Sequence, residues 1–142
     1  MAVDVYFNFN GNCREAVEFY ADVFNTGAPH IMTFAEAPPN PEYKLPDEAK
    51  DLVMHARINI KGSNVMFSDV FPGMPYVQGN NITLAFISDD LEEVKAVFHK
   101  LKEGGTVNME LQETFWSKCY GSVKDKFGTE WQISHDSGES AM

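Results

Sequence analysis

Residues 3–27, VDVYFNFNGNCREAVEFYADVFNTG, and residues 81–105, NITLAFISDDLEEVKAVFHKLKEGG, decide the fold. In the first stretch Val3, Val5, Phe7 and Phe9 alternate with Asp4, Tyr6 and Asn8, the period of a half-buried strand. Asn10-Gly11 breaks the strand. Asn12 then stands in the N-cap position with Glu15 three residues on, so a capping box is expected, with Asn in place of the usual Ser or Thr. Cys13, Ala16, Val17, Phe19, Tyr20, Val23 and Phe24 fall on one helical stripe, and Gly27 is the expected helix stop. The second stretch repeats the pattern at an offset of 78: Cys13 pairs with Leu91, Ala16 with Val94, Phe19 with Val97, Tyr20 with Phe98, Val23 with Leu101 and Gly27 with Gly105. A matched apolar stripe followed by a matched stop points to an internal duplication.

Working outward, 29–33 reads as a short strand. The segment from Ala35 to Asp51 carries Pro38, Pro39, Pro41 and Pro46, which excludes regular structure over most of it; a loop this long is either a lid or a surface excursion. Leu52–Ile60 and Val65–Asp69 form a hairpin about Lys61-Gly62-Ser63-Asn64. The second half supplies strand 81–87, a helix from about Asp90 to Glu103, and strands 106–111, 119–124 and 130–135. Each half therefore reads as βαβββ. The expected domain spans 1–142, with a first module of about 1–70, a linker 71–79, a second module of about 80–136 and a frayed polar tail 137–142. One helix over a four-stranded sheet leaves the other sheet face bare, so two such units side by side would give a curved eight-stranded α+β sheet with a concave cleft.

The 142 residues are 44% hydrophobic and 13% aromatic, enough for a core, and carry 21 Asp+Glu against 11 Lys+Arg for a net charge of −10. No basic cluster is present to neutralise phosphates, so nucleic acid and anionic membrane are not expected partners. Cys13 and Cys119 show no metal or redox spacing and read as free thiols. No apolar run approaches the roughly 20 residues of a membrane span. The chain begins in strand-like sequence rather than a basic leader, and a soluble cytoplasmic protein is expected.

Four stretches, FNFNGNCREAVEFYADVF, VMHARINIKGSNVMFSD, GNNITLAF and LQETFWSKCYGSVKDKFGTEWQIS, resemble the PhnB-like branch of the glyoxalase/vicinal oxygen chelate (VOC) superfamily, with the phrase from Thr114 to Trp131 the most specific. The resemblance runs from Val3 to Ser134. It implies paired βαβββ modules of the glyoxalase/bleomycin resistance/dioxygenase-like fold, usually a homodimer, whose cleft often holds a divalent metal. It also brings the label demethylubiquinone methyltransferase. That activity is disfavoured, because the sequence has no Gly-rich strand-to-helix turn for a nucleotide-like methyl donor. The superfamily's ligand positions fall here on Val5 or Tyr6, Met66, Thr83 and Gln132. Val, Met and Thr are poor ligands and Gln132 offers one neutral oxygen, so no metal ligand and no cofactor is expected.

His55 is the candidate catalytic residue. In its strand Met54, Ala56, Ile58 and Ile60 alternate with His55, Arg57 and Asn59, so if the apolar set packs on the helix the polar set faces the bare side. An imidazole there can move a proton or bind substrate; the bland alternative is a solvated strand histidine. Asp69 either pairs with Arg57 or His55 across the hairpin or forms a turn. Tyr6, Asn8, Arg57, Asp69, Thr83, Phe115, Trp116, Tyr120 and Gln132 are the candidate substrate-binding residues: Arg57 or Asn8 for an anionic or carbonyl oxygen, and the aromatics near Phe115 and Trp116 for an apolar part. Trp131 is expected in the core and Gly128 at a positive-φ turn; His30, His99 and His135 share no spacing, and His99 on the polar side of a helix and His135 in the tail are expected to have no role.

The residues and the resemblance together lead to a PhnB-like VOC-fold protein of unassigned specificity that binds a small organic molecule in the cleft, with action on it as a lyase, isomerase or dioxygenase-type enzyme left open. The rivals are a resistance-type protein that only sequesters its ligand and a structural or regulatory dimer with an unused cleft.

Overall fold

The structure is a computed structural model describing residues 2–136; the tail 137–142 lies outside the described residues. The chain divides into two compact units, 1–77 and 78–142. The first contains β1 (Val5–Phe9), α1 (Cys13–Val23), β2 (His30–Thr33), β3 (Val53–Ile60) and β4 (Ser63–Asp69); the second contains β5 (Leu84–Ser88), α2 (Leu91–Leu101), β6 (Thr106–Gln112), β7 (Tyr120–Lys124) and β8 (Glu130–His135). Both are βαβββ. The eight strands form two four-stranded sheets, ordered β1-β4-β3-β2 and β5-β8-β7-β6. In each sheet the first strand runs parallel to the last and the remaining neighbours are antiparallel.

In the first unit the odd-numbered residues of β1 and β4 face α1. Phe7 stacks on Phe67 at 5.3 Å and on Tyr20 at 5.6 Å between ring centroids, and Phe67, Tyr20, Val17 and Cys13 are fully buried. Burying a side chain such as Phe67 contributes about 2–3 kcal/mol. The second unit builds its core from Val94, Leu101, Val123 and Ile133.

The two helices start differently. Asp90 caps α2, its carboxylate accepting from Glu92 N and Glu93 N, while Ser88 Oγ accepts from Asp90 N and donates to Glu93. Asn12 makes no side-chain cap on α1, contrary to the expected capping box. Asp69, paired with Phe9 in the sheet, accepts from Gly11 N at 2.8 Å and Cys13 N at 3.0 Å instead. A buried carboxylate supplied across the fold outcompetes the local amide, because a charged acceptor makes the stronger bond to the orphan N–H groups of a first turn.

The glycines matched in sequence also play different parts. α1 ends before Gly27: Asn25 takes φ +51°, and Thr26 N donates to Ala21 O, the 6→1 bond of a Schellman stop with Asn in the left-handed position. In the second unit Gly104 has the positive φ, and Gly105 is required because a Cβ there would meet the Lys124 carbonyl. The hairpin turn is tighter than its four-residue reading. Lys61 and Gly62 both have positive φ and alone join β3 to β4, the geometry of a type I′ turn.

β5 begins three residues later than expected, and the proline-rich loop holds two short 3-10 turns, Phe34–Glu36 and Asp47–Ala49. Ala49 is fully buried and the Phe34 and Tyr43 rings pack on Phe71, which anchors the loop to its own unit.

Candidate functional site

Strand alternation leaves one face of the first sheet without a helix of its own unit. Register aligns Tyr6 with Met66, Met66 with Arg57, and Arg57 with His30 across all four strands; one step along the strands, Asn8 aligns with Ser68 and Met32 with His55. Tyr6, Asn8, Arg57 and His30 are exposed and His55 is half-buried. The Tyr6 hydroxyl lies 3.5 Å from His55 Nδ1, with the two rings 6.0 Å apart and tilted by 44°. Ser68 Oγ donates to Asn8 Oδ1 at 3.5 Å. Both bonds are at the long end of the useful range. Tyr6, Asn8, His55 and Arg57 thus come together on one surface. Met32, His30 and Ser68 join them unforeseen; the signal was in the sequence, since β2 alternates and its antiparallel pairing with β3 fixes which of its residues face the same way.

Asp69 does not share this surface. It is 4% exposed on the helix side, with Oδ1 taken by Gly11 and Cys13 and Oδ2 accepting from Val53 N at 2.9 Å, so it pairs with neither Arg57 nor His55. Burial and, after it, the charge of Asp69 push the Cys13 thiol up to about 12, so Cys13 is a protonated core residue at neutral pH.

In the second unit the matching face aligns Ala85 with Gln132 and Ser122, and Ile87 with Ser134 and Tyr120. Gln132 is exposed. Thr83 precedes β5 rather than lying within it, and the register partner of Gln132 is Ala85. Trp116 packs edge-on against Tyr120 at 5.2 Å and against Phe115 at 4.7 Å, while Phe115 is itself 86% exposed. These three aromatics form a surface cluster with an apolar edge. Trp131 is buried, its Nε1 donating to Asp125 at 2.9 Å, and Gly128 turns at φ +89°. His135 belongs to β8, not to the tail, because its N–H donates to Cys119 O at 2.8 Å and so extends the pairing with the neighbouring segment. It holds the place in its sheet that Asp69 holds in the first, each aligned with the last residue of the parallel strand.

Comparison with known proteins finds a family model described as 3-demethylubiquinone-9 3-methyltransferase matching residues 2–134. The chain belongs to this family. It is 33% identical over 144 aligned positions to Protein YjdN of Escherichia coli K12, covering 94% of this chain and 95% of YjdN. The crystal structure of PA1353 from Pseudomonas aeruginosa is similar at a TM-score of 0.79 and 32% identity, covering 95% of this chain and 98% of that one. A PhnB protein from Bacillus cereus, described as a putative 3-demethylubiquinone-9 3-methyltransferase, matches at 0.71 and 26%, over 96% of this chain and all of that one. A glyoxylase/bleomycin resistance protein/dioxygenase domain from Frankia shares the fold at 0.62 with 9% identity. The protein is a PhnB-like member of the VOC fold.

The family's descriptive name is not supported as an activity. A nucleotide-like methyl donor is held at a Gly-rich turn opening a helix beside a parallel sheet. The turn into α1 reads Asn10-Gly11-Asn12 and its N–H groups are spent on Asp69; the turn into α2 is occupied by Asp90. Of the positions at which the resemblance places metal ligands, Tyr6 aligns with Met66, while Gln132 aligns with Ala85 rather than with Thr83; a phenol, a thioether, a methyl group and one amide are poor donors for a divalent cation. Among the described residues no three His, Cys, Asp or Glu side chains are grouped to hold a metal.

Proposed function

We propose that this PhnB-like protein binds a small organic molecule on the helix-free face of the first sheet, with His55 as the group that exchanges a proton with it and without a resident metal. The observation that carries the reading is the approach of the Tyr6 hydroxyl to His55 Nδ1. With the phenol donating, Nδ1 accepts and the ring N–H is on Nε2, where it can donate a hydrogen bond to a ligand oxygen. Asn8 and Ser68 add neutral polar groups, and Met32 and Met66 add adaptable apolar surface.

Sequestration of the ligand without chemistry is favoured as the second reading by one finding. The carboxylate that could orient His55 across the hairpin is committed to backbone N–H groups on the opposite face of the sheet. A histidine oriented only by a neutral phenol is a weaker general base than one held by a carboxylate. We further propose that the protein works as a cytoplasmic homodimer; its two cysteines are both free and buried, as suits a reducing compartment.

The test is a fluorescence thermal-shift and NMR screen of a small-molecule library against wild type, His55→Ala and Tyr6→Phe, with mass spectrometry of each recovered ligand. Ligands should raise the wild-type melting point and shift the Tyr6 and His55 resonances, and both effects should vanish in His55→Ala. A changed ligand mass marks catalysis and an unchanged one marks sequestration. Equal binding by His55→Ala would end the proposal.

A further inference from the structure

The charge on the helix-free face of the first sheet runs against the charge of the chain. The protein carries a net −10, yet the strands of this sheet contain a single carboxylate, Asp69, and it is buried on the other side among three backbone N–H groups. The only Lys or Arg in those strands is Arg57. It sits in the middle of β3, exposed, and makes no ion pair among the described residues. Its cross-strand neighbours are Met66 on one side and His30 on the other, and His55 lies two residues along the same face.

In a chain with about two acids for every base, an exposed strand arginine would ordinarily find a cross-strand carboxylate, since opposite-charge pairs stabilise a sheet and like-charge pairs oppose it. Here the neighbour across the strand is a histidine, which brings no negative charge. The arrangement is satisfied when the missing negative charge arrives with a ligand. A guanidinium presents a planar fork of N–H donors matched to two oxygens of one carboxylate or phosphoryl group, and adjacent strands lie about 4.8 Å apart, so the cross-strand pair His30 and Arg57 stands within reach of the same small anion. The neighbouring Tyr6 ring and Met66 supply an apolar flank.

We propose that the ligand of this face is a small organic anion, a carboxylate or phosphoryl oxyanion on an apolar body, held by Arg57 with His30 and His55 beside it. The inference rests on the ligand-binding reading above and adds the chemical class.

The probes are benzoate and phenyl phosphate, with benzamide as the neutral counterpart, titrated into the full chain and followed by the backbone NMR resonances of Tyr6, Asn8, Arg57 and Met66. Both anions should bind about tenfold or more tightly than benzamide, in line with one charge-assisted hydrogen-bonded contact, and should weaken as salt rises and screens an exposed site. Arg57→Gln should erase the preference and Arg57→Lys should keep part of it, because charge survives and the fork does not. Arg14→Gln, which removes the chain's other arginine from α1, should leave it intact. Benzamide binding as tightly as benzoate, or Arg57→Gln keeping the preference, overturns the anion assignment and leaves the ligand face standing. If no probe, charged or neutral, moves these resonances, the ligand face falls with it.

Discussion

Replacing Asp69 tests how the first unit is held together. Its carboxylate ties the end of β1, the first turn of α1 and the start of β3 through Gly11, Cys13 and Val53, and is 4% exposed. Asp69→Ala leaves three donors without an acceptor. Gly11 is exposed and water can serve it, but Cys13 and Val53 are 0% and 1% exposed. At about 2 kcal/mol for each buried unsatisfied N–H the loss is about 4 kcal/mol. Asp69→Asn keeps an oxygen for Gly11 and Cys13 but turns an NH2 group against the Val53 N–H, for about 2 kcal/mol. With about 3 °C of melting temperature per kcal/mol in a chain of this size, calorimetry should give drops of about 12 °C for Ala and 6 °C for Asn. Amide hydrogen exchange should speed up first at Cys13 and Val53. An Asp69→Ala protein melting within about 2 °C of wild type would refute the argument. So would an Asp69→Asn protein of unchanged stability that had lost its ligand, since Asp69 would then be serving the open face.

Gly105→Ala should cost about 3 kcal/mol or more by denaturant titration, because its Cβ would enter the Lys124 carbonyl oxygen and backbone cannot swing aside, whereas Gly79→Ala, with only a side-chain atom at 3.6 Å, should be near neutral. Cys13 should resist alkylation in the folded protein at pH 8. Its folded value of about 12 lies above the ordinary 9.0, so the unfolded chain releases this proton first, and the associated stability is whole below pH 9 and lost as pH rises toward 12; melting curves of Cys13→Ala against wild type over pH 8–11 should converge as the pH increases. Elemental analysis of protein purified without chelator, with calorimetric titration of Ni²⁺, Zn²⁺ and Mn²⁺, should find no tight stoichiometric ion, and one tight ion per chain would overturn the metal-free proposal.

Periodicity carried most of the fold. The two-residue alternation of β1, β3 and β8 and the apolar stripes of α1 and α2 are local properties, and each half could be read as βαβββ because one face of every element must be apolar to be buried at all. The same alternation put His55 and Arg57 opposite Ala56 and Ile58, which is how half of the candidate surface was legible. Partner choice was not legible. The Asn12–Glu15 spacing promised a local cap, but a carboxylate more than fifty residues away in sequence captured those N–H groups, and with that Asp69 left the candidate site. Thr83 fell outside β5 because where a strand begins depends on what β8 can pair with.

Which residues are apolar, which are charged and at what period they recur are written in the chain, and they determined the elements, the duplication and the family. Which polar group meets which depends on strand register and on competition among all acceptors within reach, a question of distances that sequence spacing does not contain. Tertiary structure alone therefore decided that Tyr6 meets His55, that Arg57 makes no ion pair among the described residues, and that the one carboxylate of the first sheet's strands holds a helix rather than a ligand.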